Sequence, residues 1–287
     1  MKKLSCHAGF SLIELIVVVV LLGLLAGGAG LLILNPIESY DAQVRRQQLV
    51  DQGEMALRQV ARDLQRALPN SVRIAPAGGG FALEMVNIVD GARYRDEYGG
   101  IYVADPDFVL DFTGPDTTFN LLGGLNNPAA FAAGNRLVIY STSTNVYAEA
   151  VDVDKQGTIT DAGTSLAFAT LNPGPNREDQ ISLSTPFEFT QQSPGQRVFV
   201  VDGSVSYICN PATGTIIRYS GYGFDNPQQI PPGGASSDTV VTQVAGCTAS
   251  YAPGTAQRGG ILSLAITLDD SGETVNLLHQ VHVVNVP

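Results

Sequence analysis

Gly9-Phe10-Ser11-Leu12-Ile13-Glu14-Leu15-Ile16 opens the longest apolar stretch of the chain, and the fate of that stretch decides the architecture. Over residues 10–34 the only ionisable side chain is Glu14. A helix of that length, rising 1.5 Å per residue, reaches across the hydrocarbon core of a bilayer. Three accounts compete: a conventional secretory signal cut near Ala26 to Gly30, a simple membrane anchor, and a leader that is removed just ahead of Phe10. Glu14 separates them. A carboxylate inside a spanning helix costs roughly 2.5–3.5 kcal/mol on insertion scales, so a plain signal or anchor gains by losing it. Its presence calls for a partner. Cys6 does not mark a lipoprotein, because only residues 1–5 precede it and lipoprotein processing needs an apolar stretch there.

Acids outnumber bases 27 to 16. Removing residues 1–9 takes away Lys2 and Lys3, leaving 14 bases against 27 acids, and such a balance disfavours a nucleic-acid partner. The acidity is local: residues 74–287 hold 8 bases and 21 acids, whereas residues 36–73 hold 6 and 5. Of the three cysteines, Cys6 precedes the apolar run, which leaves Cys209 and Cys247 as one pair in an exported head, and the sequence predicts a disulfide between them.

The octet that opens the apolar run resembles the type IV prepilin signature, with Lys2 and Lys3 as a short basic leader ahead of it. The resemblance implies that a dedicated prepilin peptidase and N-methyltransferase cuts between Gly9 and Phe10 on the cytoplasmic face and methylates the new amine of Phe10. The apolar helix is kept. Glu14 then becomes the fifth residue of the mature chain, and its carboxylate neutralises an N-terminal ammonium of a neighbouring subunit in the filament core. A charge pair tolerates burial where a lone charge does not.

Further along, Asn35-Pro36-Ile37-Glu38 predicts a new helix start, with Asn35 as cap and Pro36 in the first turn. Leu57, Val60, Ala61, Leu64 and Leu68 recur at helical spacing opposite Arg58, Arg62, Asp63 and Arg66, which describes an amphipathic helix ended by Pro69. Arg45, Arg46, Arg58, Arg62 and Arg66 either meet acidic heads of neighbouring subunits or form a solvated face with local ion pairs; the sequence leaves both open. Gly23, Gly27, Gly28 and Gly30 weaken the apolar helix or allow close helix packing, and that choice is open too.

After Pro69 the chain turns to β-branched and aromatic runs punctuated by Gly, Pro, Asn and Asp. Strands are predicted at residues 81–89, 108–112, 136–141, 147–153, 197–201, 205–209 and 215–219, and a closing hairpin at residues 261–268 and 273–284 around Asp269-Asp270-Ser271-Gly272. Residues 120–134 and 226–238 are expected loops. The fold class is therefore α+β: a long N-terminal helix, transmembrane half plus amphipathic half, packed on a mostly antiparallel β head. Its expected parts are a leader (1–9), a transmembrane and filament-core helix (10–34), an amphipathic helix (35–69) and a periplasmic or extracellular head (70–287).

Two more passages sharpen the likeness: Arg62-Asp63-Leu64-Gln65-Arg66-Ala67-Leu68-Pro69-Asn70-Ser71-Val72-Arg73, and the tail Leu277-Leu278-His279-Gln280-Val281-His282-Val283-Val284-Asn285-Val286-Pro287. Both look like those of minor pilins of the mannose-sensitive haemagglutinin type. That likeness implies a single-pass subunit of a bacterial inner membrane, its head in the periplasm and later on a pilus at the cell surface. It also implies contacts with other minor pilins, the major pilin and the inner-membrane assembly platform.

Nothing in the head predicts catalysis. Asp152, Asp154, Gly157, Ile159 and Asp161 imitate part of a calcium loop, but Gly163 stands where the bidentate carboxylate belongs, so a plain hairpin turn is expected. His279 and His282, three apart on a strand, face opposite sides and do not chelate one metal. Gly78-Gly79-Gly80 lacks the Lys and Ser/Thr of a phosphate loop. The expectation is a structural subunit with no catalytic residue, metal or cofactor. The alternatives are a minor pseudopilin of a type II secretion system, J-like, and a head that acts directly as an adhesin.

Overall fold

The computed structural model describes residues 10–97, 108–127, 134–153, 156–172, 177–254 and 259–283, with backbone alone for residues 29–38. The leader, residues 1–9, lies outside the described residues. The chain divides into two compact units, Met1–Leu49 and Val50–Pro287.

Helix α1, Leu12–Gln65, begins in the first unit. Its backbone stays helical through Pro36, so the separate helix start expected at Asn35 is not there. A proline inside a helix removes one ladder hydrogen bond and costs about 3 kcal/mol, yet it ends a helix only where its flanks do not sustain it. Here Leu31, Leu32 and Leu34 on one side and Glu38, Ala42 and Gln43 on the other are good helix formers. Among the described residues no helix is long and apolar enough to cross a membrane. The described side chains of the apolar run stop at Gly28, and the last part of the span expected over residues 10–34 lies outside them.

In the second unit the end of α1 buries Ala56, Leu57, Val60 and Leu64. The helix stops at Gln65, short of the end expected at Leu68. Leu68 N–H donates to Val86 O and Ile88 N–H to Arg66 O, both at 2.8 Å, so the backbone leaves the helix to pair with the sheet before Pro69 is reached.

Among the described residues thirteen strands and one further helix follow. β1 (Arg73–Ala77) and β2 (Gly80–Tyr94) form a tight hairpin whose two turn residues, Gly78 and Gly79, have φ of 53° and 83°. β3 is Asp116–Leu122 and β4 is Arg136–Ile139; helix α2, Val146–Val151, comes next. Then come β5 (Gln156–Gly157), β6 (Leu166–Asn172), β7 (Glu178–Phe189), β8 (Arg197–Asn210) and β9 (Thr215–Tyr222). β10 (Ser236–Val241), β11 (Val244–Ala252), β12 (Gly260–Asp270) and β13 (Glu273–Val283) complete the unit.

Ten strands form one sheet in the order β10-β9-β8-β2-β3-β7-β5, with β1 on β2, β4 on β8 and β6 on β7; the other sheet is β11-β12-β13. Among the described residues every strand pairing is antiparallel except that of β5 with β7. One core gathers Tyr94, Phe119, Leu121, Ile181, Phe187 and Phe189, and a second gathers Leu68, Val86, Val138, Tyr147 and Val201.

Several expectations are corrected. Residues 197–201 and 205–209 belong to one strand, β8. Gly203 carries the chain between them with φ 132°, and a β-carbon there would stand 2.3 Å from Tyr222 O, which only glycine avoids. Residues 147–153 are not a strand: Val146, Tyr147 and Ala150 are buried at helical spacing, and the helix formers Ala148, Glu149 and Ala150 outweigh the β-branched ends. Residues 108–112 are not a strand either. Asp111 Oδ1 accepts from Thr113 N–H and Thr113 Oγ1–H, both at 2.7 Å, a local turn that competes with sheet pairing. The hairpin turn expected around Gly157 is instead the exit of α2 and the short parallel strand β5. Glu149 takes Thr158 N–H at 2.7 Å there, while Asp154 lies outside the described residues. The expected loop 120–134 begins inside β3, and the expected loop 226–238 ends in β10. The closing hairpin is as expected, with Asp269↔Thr274 and Asp270↔Glu273 in register and Ser271 and Gly272 at φ 53° and 88°.

Candidate functional site

The first turn of α1 is a reciprocal cap. Glu14 N–H donates to Ser11 Oγ at 3.3 Å, and Ser11 N–H reaches back to Glu14 Oε2 at 3.5 Å. Ser-x-x-Glu is a capping box: the hydroxyl and the carboxylate satisfy amide groups that the helix start leaves unpaired, and the carboxylate sits at the positive end of the helix dipole. Ser11 is a site residue that the sequence-level expectation for Glu14 does not include, although the Ser-x-x-Glu spacing signals it.

Beyond the cap, Leu12, Ile13, Leu15, Leu24 and Leu25 are each more than 60% exposed, and Phe10 is 81% exposed. A ring of apolar side chains round a whole helix is not a water-facing surface. It fits lipid or other helices of the same kind. Gly9 lies outside the described residues, so only the Phe10 side of the expected cleavage point is described.

In the head, Cys209 on β8 and Cys247 on β11 form a disulfide with a Cα–Cα distance of 6.6 Å. The bridge therefore joins the two sheets. Gly80 makes room for it: a β-carbon at that position would lie 2.6 Å from Cys247 Sγ and 2.3 Å from Cys209 O.

The same face of the large sheet grips α1. Tyr207 O–H donates to Asp63 Oδ2 at 2.6 Å, and Arg218 Nε–H donates to the same oxygen at 2.7 Å. Burial, then the Asp63 carboxylate, pushes the Tyr207 hydroxyl well above its ordinary value, so it stays a donor at any physiological pH. On the opposite face Glu84 is fully buried, paired with Arg73 and hydrogen-bonded by Tyr222 O–H at 2.8 Å. Burial raises the Glu84 carboxyl above its usual range, although Arg73 and Tyr222 pull the other way. Arg136, the buried first residue of β4, donates to Ala150 O at 2.7 Å and is lowered by desolvation to about 10.

Among the described residues no group of three or more His, Cys, Asp and Glu side chains is placed to hold a metal. His279 is half-buried and His282 exposed on opposite faces of β13.

Residues 4–30 match the family described as the prokaryotic N-terminal methylation motif. This prepilin-type signal indicates a type IV pilin-like or pseudopilin protein. It implies processing by a prepilin peptidase and assembly with other pilins, and it suggests a membrane-anchored chain that later reaches a pilus or the cell surface. No curated protein and no solved structure matches the chain.

Proposed function

We propose that the chain is a minor pilin resembling MshO of mannose-sensitive haemagglutinin pili, a low-copy subunit that helps to start or cap a surface filament used for attachment. The observation that carries the proposal is an apolar helix exposed on all sides that opens, within the methylation motif, on Phe10 and Glu14. Cleavage between Gly9 and Phe10 frees an ammonium one turn from Glu14. In the unassembled chain the carboxylate is occupied by its own cap, at long hydrogen-bond distances. A neighbour's ammonium offers it a full charge, and that exchange favours assembly where water is excluded.

The subunit does no chemistry of its own: the peptidase and methyltransferase act on it, and its head supplies protein contacts to other minor pilins, the major pilin and the assembly platform. A subunit fixed at the extreme tip has no need of the carboxylate, so one that keeps Glu14 sits beneath another.

Mass spectrometry of the N-terminal peptide, from protein taken out of native membranes or sheared filaments, tests the class. N-methylated Phe10 is expected; a start near Gly30, or an uncut Met1, rules it out. Glu14→Gln separates processing from assembly: cleavage continues and incorporation falls, and normal piliation in that variant removes the role given to Glu14. Recovery of the chain with a secretion complex rather than with a surface pilus would assign it to the pseudopilins instead.

A further inference from the structure

The outward face of α1 in the second unit carries Met55, Arg58 and Arg62, and Arg66 follows its end, all exposed. Arg58 is taken up locally by Glu54, one turn back, at 2.7 Å. Arg62 and Arg66 have no ion pair among the described residues, and Met55 is 63% exposed beside them. A water-facing helix has little use for an exposed methionine next to two unneutralised arginines. Methionine and arginine are, however, the side chains enriched where one protein surface covers another.

In the rest of the head several bases are taken up by internal partners. Arg73 pairs with Glu84, Arg95 with Glu178, Arg177 with Asp179 and Arg218 with Asp63, while Arg136 is buried. The carboxylates left at the surface include Asp96, Glu97, Asp152, Asp202, Asp238 and Asp269. Among the described residues of the head, exposed acids outnumber exposed bases, of which Arg93 is one. Arg62 lies in the last turn of α1 and Arg66 just past its end, both exposed.

We propose that Met55 and Arg62 of α1, with Arg66 just past its end, form an interaction surface that takes the acidic head of a neighbouring pilin subunit, Met55 entering an apolar recess and the two guanidinium groups engaging carboxylates. The inference rests on the pilin reading and adds the partner's chemistry to it. Charge complementarity of this kind selects the partner and speeds encounter, and desolvation at contact makes each pair count for more than it does in water.

The test uses the full chain expressed in its own host. Arg62→Glu with Arg66→Glu is expected to lower recovery in sheared filaments roughly tenfold, the scale of one well-formed interfacial charge pair, while Arg62→Lys with Arg66→Lys retains most of it. The mass of the N-terminal peptide is followed in every variant. Unchanged recovery of the Glu variant overturns the proposal and leaves a solvated face. Loss of Phe10 processing in the unaltered chain overturns the pilin reading instead, so the two failures are distinct. A benzoylphenylalanine photo-crosslinker at position 55 then reads the partner directly: an adduct on an acid-rich segment of a pilin head supports the proposal, and an adduct on lipid or on a basic surface refutes it.

Discussion

Gly53 on α1 faces Leu277 on β13 with no room for a side chain between them: a β-carbon on Gly53 would stand 2.3 Å from Leu277 Cδ1 and 3.2 Å from Leu268 Cδ1. The closest approach of α1 to the three-stranded sheet is thus set by an absent methyl group. Alanine there gains about 1 kcal/mol of helix propensity but has to turn the Leu277 side chain aside. Gly53→Ala is therefore expected to change stability by less than about 1 kcal/mol, whereas Gly53→Leu overpacks the contact and costs about 2–3 kcal/mol. Chemical denaturation of the two variants measures both; a Leu variant as stable as the original chain would mean that the helix and sheet slide freely.

The Cys209–Cys247 bridge closes a loop of sequence separation 38. Loop-closure entropy for that length gives about 4 kcal/mol, so Cys247→Ser is expected to lower the unfolding free energy by up to about that amount, with reductant having the same effect on the unaltered chain. Reductant that leaves the denaturation midpoint unmoved would contradict it.

Asp63 accepts from both Tyr207 and Arg218, and removing the acceptor strands two partly buried donors. Asp63→Ala should cost about 2–3 kcal/mol, more than Tyr207→Phe, which leaves the ion pair with Arg218 in place. Equal losses in the two variants, read from thermal unfolding, would show that the ion pair contributes nothing.

Glu84 gives a pH dependence with a definite sign. Its carboxyl is raised in the folded chain, by burial first, so ionising it is harder folded than unfolded. The stability contributed by the protonated form is fully present below the unfolded value, near 4.5, and is lost as the pH rises through the folded value. The unaltered chain should therefore lose stability relative to Glu84→Gln as the pH is taken from 4 to 7. Parallel stability curves for the two proteins over that range would overturn this.

How far the sequence carried depended on whether a signal was local. Glu14 in an otherwise uncharged run, the Asp269-Asp270-Ser271-Gly272 turn and the two head cysteines each announce themselves within a few residues, or by simple count. The helix start expected at Asn35-Pro36 is not there, because the helix formers on either side sustain the backbone through the proline. Val146 to Val151 deceived by composition: its β-branched ends suggested a strand, while its buried positions keep helical spacing. β7 is buried on alternate residues over much of its length, yet Ser182, Ser184 and Pro186 hid it. The non-local contacts of α1 left no trace. Nothing near Asp63 in the sequence points to Tyr207 or Arg218, and the vacancy at Gly53 is defined by strands more than two hundred residues away.

The disulfide also has a mechanical side. A chain pulled from its two ends lengthens by whatever contour its unfolded segments release, at about 3.4 Å per residue. The segment between Cys209 and Cys247 spans a sequence separation of 38 and holds β9 and β10, but the bridge takes it out of the line of force, withholding on the order of 130 Å of extension. Load entering through α1 passes from β8 to β11 across a covalent bond, and those two strands remain tethered however far the rest of the head is drawn out.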